Sequence, residues 1–163
     1  MRARGHLIGG VIAGVSVAGI GTLSGHVGGL LHPDWWGVTA TGVFFSLFPD
    51  VDTDSLPRRW FYRFVVVGLL YLAWSGQERL GLWLAMLTML PLLDHHRGWT
   101  HGRWMPLVAP ALLGAGYLAA LRGASWDEIW RPADLTYYAA AVAGWYTHLL
   151  LDGLFRLFPQ DPD

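Results

Sequence analysis

Six apolar runs divide this chain, at Leu7–Leu31, Trp35–Phe48, Trp60–Trp74, Leu80–Leu93, Trp104–Leu121 and Leu135–Phe155. Hydropathy of this kind predicts helices that cross a bilayer. No long linker, low-complexity stretch or internal repeat separates the runs. The expected fold is therefore all-α, a polytopic membrane bundle of about six transmembrane helices, with residues 1–163 forming a single transmembrane helical domain.

Composition supports that expectation. Hydrophobic residues make up 53% of the chain and charged residues 14%, too apolar for an ordinary soluble domain. A net charge of -1 leaves no basic field to attract nucleic acid, so no nucleic-acid partner is expected. Cysteine is absent, which excludes disulfides, thiolate-bound zinc and thiol catalysis. Met1-Arg2-Ala3-Arg4 before an apolar run could open a signal peptide. The run, however, continues to Leu31, a length that suits a retained first membrane helix.

Small residues recur every four positions in the first run, at Gly10, Gly14 and Ala18 and again at Gly21, Gly25 and Gly29. Such ridges let helices approach closely in lipid. A phosphate-cradling use would need a preceding strand, and none is expected. Trp35, Trp36, Trp60, Trp74, Trp104, Trp126 and Trp130 fall near run ends, as interfacial belts do. Asp134 is placed to cap the last helix and Ser55 the helix near Leu56. His26 and His32, far from the other polar clusters, are read as interfacial or packing residues.

All eleven basic residues are arginine. Six spans put Arg2, Arg4, Arg58, Arg59, Arg63, Arg97, Arg103 and Arg156 on one side, and Arg79, Arg122 and Arg131 on the other. The first side is then cytoplasmic, with both termini, in a cytoplasmic (inner) membrane. Four polar clusters fall on that same side: His6; Asp50 and Asp52; Asp94 to His101; His148 and Asp152. Ionisable groups beside membrane spans are costly and mark function. The second and fourth runs are short, about 21 Å at ~1.5 Å per residue against a hydrocarbon core of ~30 Å, so the clusters should be recessed into the leaflet.

Imidazole and carboxylate without thiolate suit a hydrolytic zinc, manganese or iron centre. The expected ligands are His6, Asp50, Asp52, His96, His101, His148 and Asp152. That set exceeds the four ligands one zinc takes, so two or more divalent ions are expected, zinc foremost. His148 and Asp152 are four apart and share a helix face, with Gly144 one turn earlier leaving room for a neighbour or an ion. Asp50 and Asp52 repel each other unless a cation compensates. Asp94, His95, Thr100 and Thr147 are candidate partners that orient the ligands. Arg97 suits an anionic group with its planar fork, and Asp52 or Asp54 could take a proton.

Four strings carry a resemblance: Gly5-His6, Phe48-Pro49-Asp50-Val51-Asp52, His96-Arg97-Gly98-Trp99-Thr100-His101, and Gly144 through Asp152. Together they resemble the YdjM-like family of inner-membrane proteins, along nearly the whole chain. The resemblance implies metal-dependent hydrolysis. Where the family pattern usually has Ser after the third string, this chain has Gly102, so no hydroxyl is available there. The His/Asp set is also similar, more loosely, to zinc-dependent phospholipase C.

The expectation is a membrane-embedded, metal-dependent hydrolase that cleaves a lipid or prenyl phosphoester at the cytoplasmic leaflet, with membrane lipids as its partners. Two alternatives use the same residues: a metal-ion or proton transporter, and a non-catalytic scaffold held together by metal. The sequence specifies no oligomeric state.

Overall fold

A computed structural model describes residues 3–52, 56–89, 99–122 and 131–153. Among the described residues there are six α-helices and no strand: α1 (Ala3–Leu23), α2 (Pro33–Leu47), α3 (Leu56–Trp74), α4 (Glu78–Met89), α5 (Met105–Arg122) and α6 (Pro132–Leu151). Two short 3-10 turns, Phe48–Asp52 and Trp99–His101, precede α3 and α5.

The helix ends have local causes. The first apolar run does not remain helical to Leu31. Gly25 takes φ +74°, and the amides of His26 and Val27 turn back to the Gly21 carbonyl. A left-handed glycine closes a helix in this way because it has no Cβ to clash. The expected second small-residue ridge at Gly21, Gly25 and Gly29 is thus broken at Gly25, beyond the end of α1.

His32 proves to be the N-cap of α2. Its Nδ1 accepts from the Asp34 amide at 3.2 Å, and Pro33 occupies the first helical position. Asp134, by contrast, does not cap α6. Arg131 is the N-cap residue and makes no side-chain capping bond, and Asp134 lies inside the first turn, where a carboxylate still complements the helix dipole. Ser55 lies outside the described residues.

Helices α1, α2 and α6 pack on one another and form the centre of the fold. Helix α5 rests against α6, while α3 pairs with α4 and α4 meets α5. The central crossings depend on bare backbone. A Cβ on Gly14 would run into the Thr39 carbonyl, and one on Gly144 would run into the carbonyl of Gly42. The first small-residue ridge therefore packs as expected, and the space beside Gly144 is taken by a neighbouring helix.

Two buried clusters cap this centre. Ala18, Val27, Trp35, Val38 and Ala140 form one; Phe48, Ala109, Trp145 and Leu149 form the other. Trp35 is thus a core residue and not a member of an interfacial belt. Trp36, Trp60, Trp74 and Trp104 do remain exposed, while Trp126 and Trp130 lie outside the described residues.

Among the described residues one helix, Arg4–Leu23 within α1, is long and apolar enough to cross a membrane, with a mean hydropathy of 1.7. Helix α5 contains a shorter apolar stretch, Met105–Leu118. The outer surface is nevertheless apolar: Ile8, Ile12, Phe64, Val67, Leu82 and Leu112 all point outward. Surfaces this greasy mark contact with lipid or with another protein.

Candidate metal centre

The site is assembled at one end of the α1–α2–α6 core. His6 comes from the start of α1, Asp50 from the 3-10 turn after α2, His148 from the last turn of α6, and Asp152 from the residue that caps it. One ligand atom from each of these four lies within 4.8 Å of all the others.

Local sequence explains each placement. Gly10, one turn after His6, lets α2 approach until Ser46 lies against α1. Pro49 lacks an amide proton, so α2 cannot continue and tightens into the turn that aims Asp50 inward. The spacing of His148 and Asp152 sets both over one face of α6, as expected from sequence.

His6 Nε2 lies 3.1 Å from Asp152 Oδ1 and 4.0 Å from Asp50 Oδ2. His148 Nε2 lies 3.4 Å from Asp152 Oδ2 and 3.7 Å from Asp50 Oδ1. Both imidazoles are buried, at 1% and 0% exposure, while the carboxylates keep 21% and 18% and open the cluster to the outside. His101 joins the edge of the group, with Nε2 at 4.0 Å from Asp152 Oδ2 and its ring edge-on to that of His148.

One residue escaped the sequence reading. The buried Ser46 donates its hydroxyl to the His6 carbonyl at 2.7 Å, and its own carbonyl accepts from His148 Nδ1 at 2.9 Å. It lies one turn before Asp50 along the same segment, and that spacing was the signal available. With the Nδ1 proton of His148 committed to Ser46, a neutral His148 presents the Nε2 lone pair to the two carboxylates. That nitrogen is buried and has no hydrogen-bond partner.

A lone pair facing carboxylate oxygens is repulsive unless a proton or a cation lies between them. The donor set fits a divalent cation. Zinc ligands at ~2.1 Å in a tetrahedron stand about 3.4 Å apart. Each imidazole Nε2 lies 3.1 to 4.0 Å from an oxygen of each carboxylate, and one ligand atom from each residue falls within 4.8 Å of the rest, close enough for a bound ion to draw the set together. Two carboxylates with two neutral imidazoles also balance a divalent charge, and the donor types suit zinc, manganese and iron alike.

The remaining expected residues divide clearly. Thr100 is buried, its hydroxyl 3.0 Å from His101 Nδ1, and its carbonyl accepts from the Trp145 indole at 2.9 Å. It contacts a histidine at the edge of the group. The hydroxyl of Thr147 instead donates to the Ala143 carbonyl of its own helix at 2.7 Å. On a helix, a threonine without a nearby acceptor bonds back to the preceding turn. Asp52 belongs to the same 3-10 turn as Asp50. Asp54, Asp94, His95, His96 and Arg97 lie outside the described residues. Among the described residues there is one four-ligand group, so the second ion expected from sequence has no ligand set of its own there.

A model of the family described as YdjM inner membrane protein matches residues 1–157. No curated protein and no solved structure matches the chain.

Proposed function

This chain belongs to the YdjM inner membrane protein family, and on that premise we propose that it is a membrane-embedded, metal-dependent hydrolase acting on a phosphoester. The observation that carries the proposal is the convergence of His6, Asp50, His148 and Asp152, drawn from both ends and the middle of the chain, onto one point. Buried histidines facing two carboxylates are expensive as packing alone and economical as ligands.

A divalent ion held there would supply Lewis acidity and acidify a bound water near neutral pH. The protein's own groups would do the rest. His6 and His148 offer nitrogen, Asp50 and Asp152 offer charge, and Ser46 keeps His148 in the tautomer that leaves Nε2 free to bind. Asp52 or Asp54 would accept the proton released by the attacking water. Arg97 would bind the anionic group of the substrate through its fork and favour charge built up on its oxygens. His96 is a candidate further ligand.

The topology offered with this function is polytopic. The apolar exteriors of α3 and α5 support further spans beside α1, with both termini and the arginine-rich end in the cytoplasm. The site then lies at the inner leaflet, within reach of lipid head groups. This favours a lipid or prenyl phosphoester over a water-soluble one. A carrier would place its ligands nearer the midplane, between repeats.

The test is hydrolysis of fluorogenic phosphodiester and lipid phosphoester substrates by purified protein loaded with zinc, manganese or iron. Activity that depends on metal and disappears in both His148→Ala and Asp152→Ala supports the proposal. Activity unchanged in those variants removes it.

A further inference from the structure

A groove of 870 Å³ runs between α1, α2, α3 and α4. It adjoins the metal cluster across one turn of backbone: Phe48 and Val51 line the groove, while Asp50 between them faces the histidines. Among the described residues its walls are apolar except for Thr39 and Arg4, and Arg4 is the one charged residue in the lining. Arg4 and His6 are two residues apart at the start of α1 and point from opposite faces of it, Arg4 to the groove and His6 to the cluster, at a similar height along the helix.

The dimensions suit one kind of occupant. The groove follows α2 from Trp36 to Leu47, about 16 Å at ~1.5 Å per residue. One leaflet of a ~30 Å hydrocarbon core is about 15 Å deep. Ligand pockets typically enclose about 300 to 1,000 Å³, and this one falls inside that range. In a membrane protein such a groove fills with hydrocarbon. A helix of a second copy would also be apolar, but its carboxylates are confined to first turns, at Asp34, Glu78 and Asp134, whereas a phosphate-bearing lipid carries its anion at the end of the tail.

We propose that this groove seats one hydrocarbon tail of an anionic phosphate-bearing lipid, with the phosphate held by Arg4 at the same end of the helices as the cluster. The proposal deepens the hydrolase reading and rests on it for the fate of the head group. Seating the tail requires no metal.

The experiment uses the full chain in nanodiscs of zwitterionic lipid, doped with phosphatidic acid that carries a diazirine in one acyl chain. Photolysis and peptide mapping should give saturable labelling of α2 and α3, competed by unlabelled phosphatidic acid. Ala40→Trp should abolish that labelling while leaving the bound-metal content unchanged, because Ala40 lines the groove and not the cluster. Arg4→Gln should weaken the apparent affinity roughly ten-fold, the loss of a charged hydrogen bond.

Labelling that rises linearly with lipid, matches that of a phosphatidylcholine probe and ignores Ala40→Trp would be ordinary lipid contact and would overturn the proposal. So would a cross-link to a second copy of the chain in place of lipid. Saturable labelling without phosphate release from the same lipid would uphold the tail site and refute the hydrolase reading.

Discussion

The rings of His6 and His148 stack, with centroids 4.1 Å apart and planes 24° from parallel, although they come from opposite ends of the chain. Each ring presents Nε2 to the same two carboxylates. Two like charges at that distance would repel strongly, and a cation held between the two carboxylates would give both Nε2 atoms one partner. A cation held there would tie the start of α1 to the end of α6, coupling metal binding to helix packing.

That coupling predicts a thermal signature. Saturating divalent metal should stabilise the protein by about 2.7 kcal/mol at a hundred-fold excess over the dissociation constant. Thermal unfolding in detergent with and without a chelator measures it. His148→Ala should show no chelator-dependent shift, and a shift equal to that of the unaltered protein would place the metal elsewhere.

Ser46 ties both histidines to α2. Ser46→Ala removes the hydroxyl bond to the His6 carbonyl but leaves the carbonyl that accepts from His148. The expected loss is about 0.5–1.5 kcal/mol of stability and roughly ten-fold in metal affinity, at the low end for a supporting contact. Calorimetric titration with zinc reads the second number; unchanged affinity would show that His148 alone sets the geometry.

The crossing at Gly42 and Gly144 sets how closely α2 approaches α6. Gly144→Ala places a methyl against the Gly42 carbonyl, and overpacking of that kind costs about 1–3 kcal/mol. Metal affinity should fall with it, because Asp50 and His148 ride on the helices that are pushed apart. Gly19→Ala is the control: nothing lies within 4 Å of the added Cβ, and helix propensity predicts a gain of about 0.5–1 kcal/mol.

Catalytic and ligand roles should separate in the acidic and basic residues near the site. Asp54→Asn and Arg97→Lys are expected to retain bound metal while losing about 100-fold or more in turnover. Metal analysis beside kinetics on the same preparations decides this. Loss of metal in either variant would move that residue into the ligand set.

The indole of Trp145 anchors the short turn that carries His101. Trp145→Phe removes the bond to the Thr100 carbonyl and should cost about 1 kcal/mol or more. Zinc affinity should fall less than in His148→Ala, because His101 lies at the edge of the four-ligand group. Equal losses in the two variants would make His101 a principal ligand.

Much of this molecule is written in local patterns. Apolar run length predicted helices near the positions of the six found among the described residues, one of which is long and apolar enough to cross a membrane. The spacing of His148 and Asp152 predicted their shared face, and the four-residue rhythm of Gly10, Gly14 and Ala18 predicted a tight crossing. Each of these rests on the helical period alone, which any stretch of sequence displays. The end of α1 was less legible, since a glycine in an apolar run reads as ridge or as turn until its φ is known, and Gly25 is a turn.

Which distant groups meet was decided by tertiary structure. That Gly144 faces Gly42 rather than an ion, that Trp35 is core rather than belt, and that Thr147 bonds its own helix all follow from how α1, α2 and α6 pack. Ser46 belongs to the same class: an unremarkable hydroxyl in an apolar helix until the backbone of α1 arrives beside it. Sequence specifies the ligand chemistry because side-chain type determines what an atom can donate, whereas selection among those ligands depends on distances that exist only after the helices have packed.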